Sequence, residues 1–206
     1  MRIVHWIGRA LLAVSVVGCG NSSNESAPNS KAIAVADSAV AKSTEPIAPE
    51  VSADIKSWKE VQEWVASQQG KVVVLDIWSN SCLECVREFP HFVQLHNELQ
   101  PQVACASLNV DHYGGDVDIS EEIKPGVMKF LTSRQATMQN FISSNADQAV
   151  YKEINTASIP AAVVYDRDGK LHTVFNNDEE AYGPSGFNYE EHITPLVKQL
   201  LASEDS

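Results

Sequence analysis

An α/β domain with helices on both faces of a central mixed sheet is predicted by three features of this 206-residue chain. Two uninterrupted apolar runs, KVVVLDIW and QVACASLNVD, have the β-branched composition of strands buried on both faces. Segments with apolar residues at helical spacing lie before and after these runs. A later stretch, SIPAAVVYDRDGKLHTVF, reads as a hairpin about an Asp168-Gly169 turn, and a final helix follows it. The length suits one domain with a sizeable core. With 27 acidic against 15 basic residues and a net charge of -12, the average surface repels phosphate backbones, which argues against a nucleic-acid partner.

The N-terminal segment, MRIVHWIGRALLAVSVVGCGNSS, joins a basic start (Arg2, Arg9) to an apolar run over 10–17 that is too short to span a bilayer. It reads as an export signal. Val16-Val17-Gly18-Cys19 resembles the lipobox of bacterial lipoproteins, with Val16 where Leu is commoner. That resemblance implies a signal peptide over 1–18, lipidation of Cys19, and stable anchoring to a bacterial membrane that the chain never crosses. The alternative is plain secretion. Residues 19–53 are rich in Ser, Ala, Asn, Pro and Glu, lack aromatic residues and show no periodicity, so they read as a flexible tether. Its r.m.s. reach is about 30 to 35 Å. No internal repeat is visible.

The folded domain is expected over 54–206. In SWKEVQEWVAS, Ser57 and Glu60 form a capping box, and Ile55, Trp58, Val61, Trp64 and Val65 recur at helical spacing. After Gly70 comes the first buried strand, then Cys82 and Cys85, then a helix whose apolar face carries Phe89, Phe92, Val93 and Leu99. Beyond the second strand, a helix over 127–134, a short strand around Phe141 and a helix over 149–154 are expected. The last helix carries Ile193, Leu196, Val197, Leu200 and Leu201, and starts at Asn188 or at Thr194-Pro195.

From 54 to 201 the chain resembles the thioredoxin fold, and the extra strand-helix segment between LNVD and SIP is similar to the membrane-anchored, extracytoplasmic TlpA-like or ResA-like proteins. Four positions carry the likeness besides Cys82-Leu83-Glu84-Cys85. Asp76 lies six residues before Cys82, at the place of the family's buried acid, and Trp78 holds its aromatic position. Pro90, eight residues after Cys82, matches the proline within the active-site helix. Ile159-Pro160 matches the cis-proline loop that faces the disulfide, so cis geometry is implied here by resemblance alone. Together these imply a thiol-disulfide oxidoreductase that needs no cofactor, with Cys82, Cys85 and Asp76 catalytic and Ile159, Pro160 and Trp78 meeting the substrate.

The chemistry fits the spacing. With Cys82 capping a helix and Cys85 one turn further in, both side chains share a face within reach of a disulfide. Free N–H groups at the helix start favour the Cys82 thiolate, which makes Cys82 the attacking thiol and Cys85 the resolving one. Asp76, on a buried strand, resembles the family's proton acceptor; without the family match, a structurally satisfied acid would be the commoner reading. Pro160 lacks an N–H and so ends the ladder, leaving the Ile159 backbone open to an extended substrate strand.

Departures from the family pattern bear on direction. Ser81 precedes Cys82 where most relatives have Trp, and Glu84 stands before Cys85 where Pro is frequent. A carboxylate beside Cys82 disfavours its thiolate, which leans toward a reductant. Ser107 falls where many thioredoxins place a lysine near the acid. Cys105 reads as a small core residue. For a metal, no second C-x-x-C exists, copper-delivery relatives carry C-x-x-x-C, and His91, His96 and His112 are isolated, so no metal ligand set is assigned. The leading expectation is an extracytoplasmic, lipid-anchored reductant of exported proteins, such as apocytochromes c, recharged by a membrane thiol donor. An oxidant or isomerase of the same fold, and a metallochaperone or other binding module, are the alternatives.

Overall fold

The structure, a computed structural model, describes residues 50–203. The expected signal peptide over 1–18, the lipidation site Cys19 and the tether as far as residue 49 lie outside the described residues. Of the tether's last residues, Ala53 is buried and Val51 packs against the core. No helix among the described residues is long and apolar enough to cross a membrane.

Six strands and five α-helices lie among the described residues, alternating except where β5 and β6 follow one another as a hairpin. β1 (Asp54–Lys56), β2 (Val72–Trp78), β3 (Val103–Asn109), β4 (Gln139–Ser143), β5 (Ala161–Tyr165) and β6 (Leu171–Asn176) form one mixed sheet in the order β1-β4-β3-β2-β5-β6. The first four strands in that order run parallel, and β5 and β6 are antiparallel additions. The helices are α1 (Trp58–Ser67), α2 (Leu83–Leu99), α3 (Lys124–Ser133), α4 (Asp147–Glu153) and α5 (Thr194–Ala202). β4 and α4 form the expected strand-helix segment before the Ile159-Pro160 loop.

Local chemistry sets the boundaries. Ser57 caps α1, accepting from the Glu60 N–H while the Glu60 carboxylate accepts from the Ser57 N–H, so the capping box forms as read. Ile55 does not join the α1 stripe: it lies in β1, paired with Ile142. Three residues are too few to show an alternating pattern, and the cap at Ser57 closes the helix off from Ile55. All seven residues of β2 and of β3 are buried, as continuous apolar runs require. The β5–β6 turn closes on Asp166, whose carboxylate accepts from the Asp168 and Lys170 N–H groups, with Gly169 at φ 75°.

Two π turns that the sequence reading does not anticipate share one local design. DISEEIKPGVMKFL and NYEEHITPLVKQLL begin on an Asx cap, Asp118 or Asn188, that accepts from backbone N–H groups two or three residues on. Each continues as one π turn, Ile119–Ile123 or Tyr189–Ile193, and then becomes an α-helix with proline near its start. A proline has no N–H to give to the turn before it, and the wider π turn accommodates that gap. Both alternatives for the last helix start are therefore correct: Asn188 opens the π turn, and Thr194-Pro195 opens α5.

The core has two halves, one on each side of the sheet. Val73, Leu75 and Ile77 of β2 pack with Val61, Val65, Leu108, Phe141, Val150 and Val163 on one face. Val72, Val74 and Trp78 pack with Phe89, Phe92, Leu131, Ile142, Ile193 and Val197 on the other. Asp76 belongs to this second face by the alternation of β2.

Candidate active site

Cys82 and Cys85 are joined in a disulfide, with Cα atoms 5.3 Å apart. β2 delivers the chain to a short loop over 79–81, and Cys82 then caps α2, its Sγ accepting from the Cys85 N–H at 3.2 Å. Cys82 is half-buried and Cys85 is buried, so only the first sulfur sits near solvent. The helix start favours a thiolate at Cys82 once the bond is reduced. Pro90 lies inside α2, two turns on.

Asp76 sits on the sheet face that α2 covers, 7% exposed. Burial pushes its carboxyl up to about 7; a hydrogen bond from Tyr189 opposes the rise and the Glu88 carboxylate adds to it. The Tyr189 hydroxyl donates a very short hydrogen bond to Asp76 Oδ1. Tyr189 is the first residue of the second π turn, and its ring lies 5.4 Å from that of Phe92. Burial, then the Asp76 charge, raises the phenol well above its ordinary range, so it remains a donor. Glu88, on α2 one turn past Cys85, accepts from the Tyr189 N–H at 3.4 Å, with Arg87 3.6 Å away on its other side. Neither Tyr189 nor Glu88 was foreseen. The Asn188 cap marks Tyr189 as a first-turn residue, but no local signal says that this turn lands on β2.

Asp76, Ser107 and Asn140 stand level on three adjacent strands, forming a polar row in an otherwise apolar layer. Ser107 gives its hydroxyl proton to Asn140 Oδ1 at 2.8 Å, and the Asn140 amide donates to the Ser52, Ala136 and Met138 carbonyls. Ser107 therefore turns away from the acid, and tyrosine, in place of the lysine common at that strand position, is its partner. Cys105, one pair further along β3, is buried, and burial with the Asp76 charge pushes its thiol far above the usual range.

The Ile159-Pro160 peptide is cis, as the resemblance implied, and Pro160 is buried at the head of β5. Ile159 is half-buried, and among the described residues neither its N–H nor its carbonyl has a backbone hydrogen-bond partner. Asp178 steadies this loop by accepting from the Ala157 N–H at 2.8 Å and the Thr156 hydroxyl at 3.1 Å.

Trp78 is a correction. Expected to meet the substrate, it is 0% exposed, with its ring against Phe89 and Phe130. The alternation of β2 turns it beneath α2, so it supports the disulfide helix from below. The exposed aromatic beside Cys82 is Tyr113, from the connection after β3, whose hydroxyl is 2.7 Å from Ser81 Oγ and 3.1 Å from Ser79 Oγ. Asp111 ties the same loop down, accepting from Ser79 Oγ, the Asn80 N–H and the Asn80 and Asn109 amides. Glu84 is exposed and faces a shallow hollow of about 210 Å³ bordered by Asn177, Glu180 and residues 183–186.

The histidines are scattered. His91 lies 3.6 Å from Glu190, His96 is lowered by burial, and His112 has both ring nitrogens buried without a partner. Among the described residues, no three or more His, Cys, Asp or Glu side chains gather as a possible metal site.

No protein-family model matches the chain, and no curated protein matches it. Solved structures do. A thiol-disulfide isomerase from Corynebacterium glutamicum superposes with TM-score 0.54 at 17% identity, covering 75% of this chain and 97% of its own. A protein described as thioredoxin-like superfamily superposes with TM-score 0.52 at 19% identity, covering 67% of this chain and 84% of its own. At such identities the likeness speaks for architecture: this chain has the thioredoxin-like fold, with its Cys82–Cys85 pair bonded at the start of α2.

Proposed function

We propose that the protein is a thiol-disulfide oxidoreductase that reduces disulfides in exported proteins. The observation that carries this reading is the Cys82–Cys85 disulfide at the start of α2, on the sheet face that buries Asp76 and at the sheet end where Ile159-Pro160 leads into β5 opposite Ile77. In the reduced form the Cys82 thiolate attacks one sulfur of a substrate disulfide. A mixed disulfide forms, and the other substrate sulfur leaves as a thiolate that takes a proton from water. Cys85 then passes its proton to the Asp76 carboxylate and attacks Cys82 Sγ. The mixed bond breaks, the second substrate sulfur leaves as a thiolate, and the Cys82–Cys85 bond closes; two electrons have moved from the dithiol to the substrate.

Asp76 suits the proton step because its carboxyl titrates at about 7, so that it takes and returns a proton near neutral pH. Tyr189 stabilises its charged form and Glu88 opposes it. Ile159 pairs with the extended substrate strand, and Pro160 keeps that edge open. A membrane thiol donor restores the dithiol by the same exchange. The lipobox-like Val16 to Cys19 segment supports extracytoplasmic anchoring, and apocytochromes c are the first substrates to examine, by resemblance.

Trapping tests the reading. Cys85→Ser, expressed in a bacterium, is expected to accumulate reducible mixed disulfides with exported proteins, whereas Cys82→Ser accumulates few because Cys85 is buried and weakly ionised. Equal trapping by both variants would overturn the assignment of nucleophile. No trapping by either would overturn the function.

A further inference from the structure

Three large hydrophobic side chains stand out as exposed among the described residues, and they are unevenly placed. Leu171 (58%) lies where β6 begins, opposite Tyr165 and thus at the far end of the sheet from the disulfide. Leu83 (84%) lies between the two cysteines, and Tyr113 (62%) is hydrogen-bonded to Ser81, the residue before Cys82. Single exposed apolar side chains are ordinary, but two of these three flank the reactive bond, Leu83 directly after Cys82 and Tyr113 on the residue before it.

Tyr113 is held, not merely displayed. Its hydroxyl meets Ser79 and Ser81, and both the Ser79 hydroxyl and the Asn80 backbone are anchored by Asp111. The ring is thus fixed by its polar end while its apolar body faces solvent, an arrangement that presents a rigid contact surface at low entropic cost. Ser81 could supply no such contact. The two hydroxyls make the exchange possible: a small residue before Cys82 leaves room for a tyrosine brought in from the β3 connection.

We infer that Tyr113, with Leu83, selects extended polypeptides carrying an aromatic or large aliphatic residue next to the reactive cysteine. The occupant is set by the neighbouring groups. The sulfur must reach Cys82, and the free N–H and carbonyl of Ile159 offer strand pairing on one side, so the substrate's backbone is extended as it passes the disulfide. Its adjacent side chain then falls at the rim where Tyr113 and Leu83 stand. Tyr113 touches no reacting sulfur and is a specificity residue. This inference rests on the redox reading.

The test uses three disulfides: a disulfide-bonded peptide with phenylalanine beside the cysteine, the same peptide with serine there, and hydroxyethyl disulfide as a small reference. For the reduced wild-type protein, kcat/KM for the phenylalanine peptide is expected to exceed that for the serine peptide by about two- to tenfold, the range of one aromatic contact. Tyr113→Ala should bring that ratio close to one, mainly through KM, and Tyr113→Phe should keep most of it because the ring remains. Leu83→Ser, at a largely exposed position outside the core, should reduce the ratio as well. A ratio unchanged in Tyr113→Ala and Leu83→Ser overturns the inference and leaves the redox reading standing. An equal fall toward all three disulfides also overturns it, since Tyr113 would then act only by holding the loop before Cys82. Failure of the wild type to reduce any of the three removes the redox reading and the inference with it.

Discussion

The two faces of the central sheet are built from the same strands but hold different things. On one face Val73, Leu75 and Ile77 alternate with the neighbouring Ala106, Leu108, Phe141 and Val163 to make an apolar layer under α1 and α4. On the other, the row Asp76, Ser107 and Asn140 crosses three strands beneath α2 and the second π turn, and Cys85, Cys105 and Tyr189 join it. The first layer stabilises by burial alone, at about 25 cal/mol per Å² of apolar area. The second gives up part of that gain, because a carboxyl taken out of water resists ionisation, and so acquires a group that titrates near neutrality. In this fold the cost of burying an acid is located directly where a proton has to be moved.

Leu75→Ala should show the largest effect on the apolar face. Its side chain is fully buried, and truncation should lower unfolding free energy by about 2 to 5 kcal/mol while leaving the Cys82–Cys85 reduction potential where it was. Denaturant unfolding and a thiol redox titration measure the two quantities separately. A shift in potential would mean that the faces are coupled more tightly than their separate packing suggests.

Asp76→Asn probes the other face and should depend on pH. The folded carboxyl titrates at about 7 against an ordinary 3.8, so proton uptake favours the folded state fully below the unfolded value, and that contribution is lost as pH rises through the folded one. The amide does not titrate. Relative to wild type, the variant should therefore gain stability between about pH 4 and about pH 7, by a few kcal/mol, while resolving mixed disulfides more slowly. Parallel stability curves for the two proteins across that interval would mean that Asp76 is not held neutral by burial.

Tyr189→Phe is subtler. The ring keeps its place against Phe92, but Asp76 loses the donor that steadies its charged form. The inflection in the rate of mixed-disulfide resolution should move upward by about one to two pH units, from the roughly 1.5 to 3 kcal/mol of a hydrogen bond to a charged group. An unmoved profile would make Tyr189 a packing residue only.

Much of the apolar face could be read directly, because continuous β-branched runs and a capping box are local signals. Along the active face the positions of Cys82, Cys85, Asp76 and Pro160 could also be read, from their spacing and resemblance. What failed were statements about partners. Trp78 was expected to meet the substrate, but strand alternation turns it under α2. Tyr189 lies 113 residues from the acid it touches, in a π turn whose cap is visible in sequence but whose landing place is not. Tyr113 reaches Ser81 across 32 residues, and nothing local in either segment says that they meet. Ile55 was assigned to the wrong element because a three-residue edge strand has no periodicity of its own.

The reduction potential of the Cys82–Cys85 pair tests the central proposal most directly. Cys82 is half-buried, Glu84 beside it carries an exposed carboxylate, and a negative charge near the attacking sulfur disfavours the thiolate and so the dithiol. Equilibration of the full chain with glutathione or dithiothreitol buffers, read by thiol alkylation and mass, is expected to give a value near the thioredoxin level of about -270 mV or below. A value near the roughly -120 mV of a strong oxidant would contradict the account, for the same pair would then insert disulfides into exported proteins.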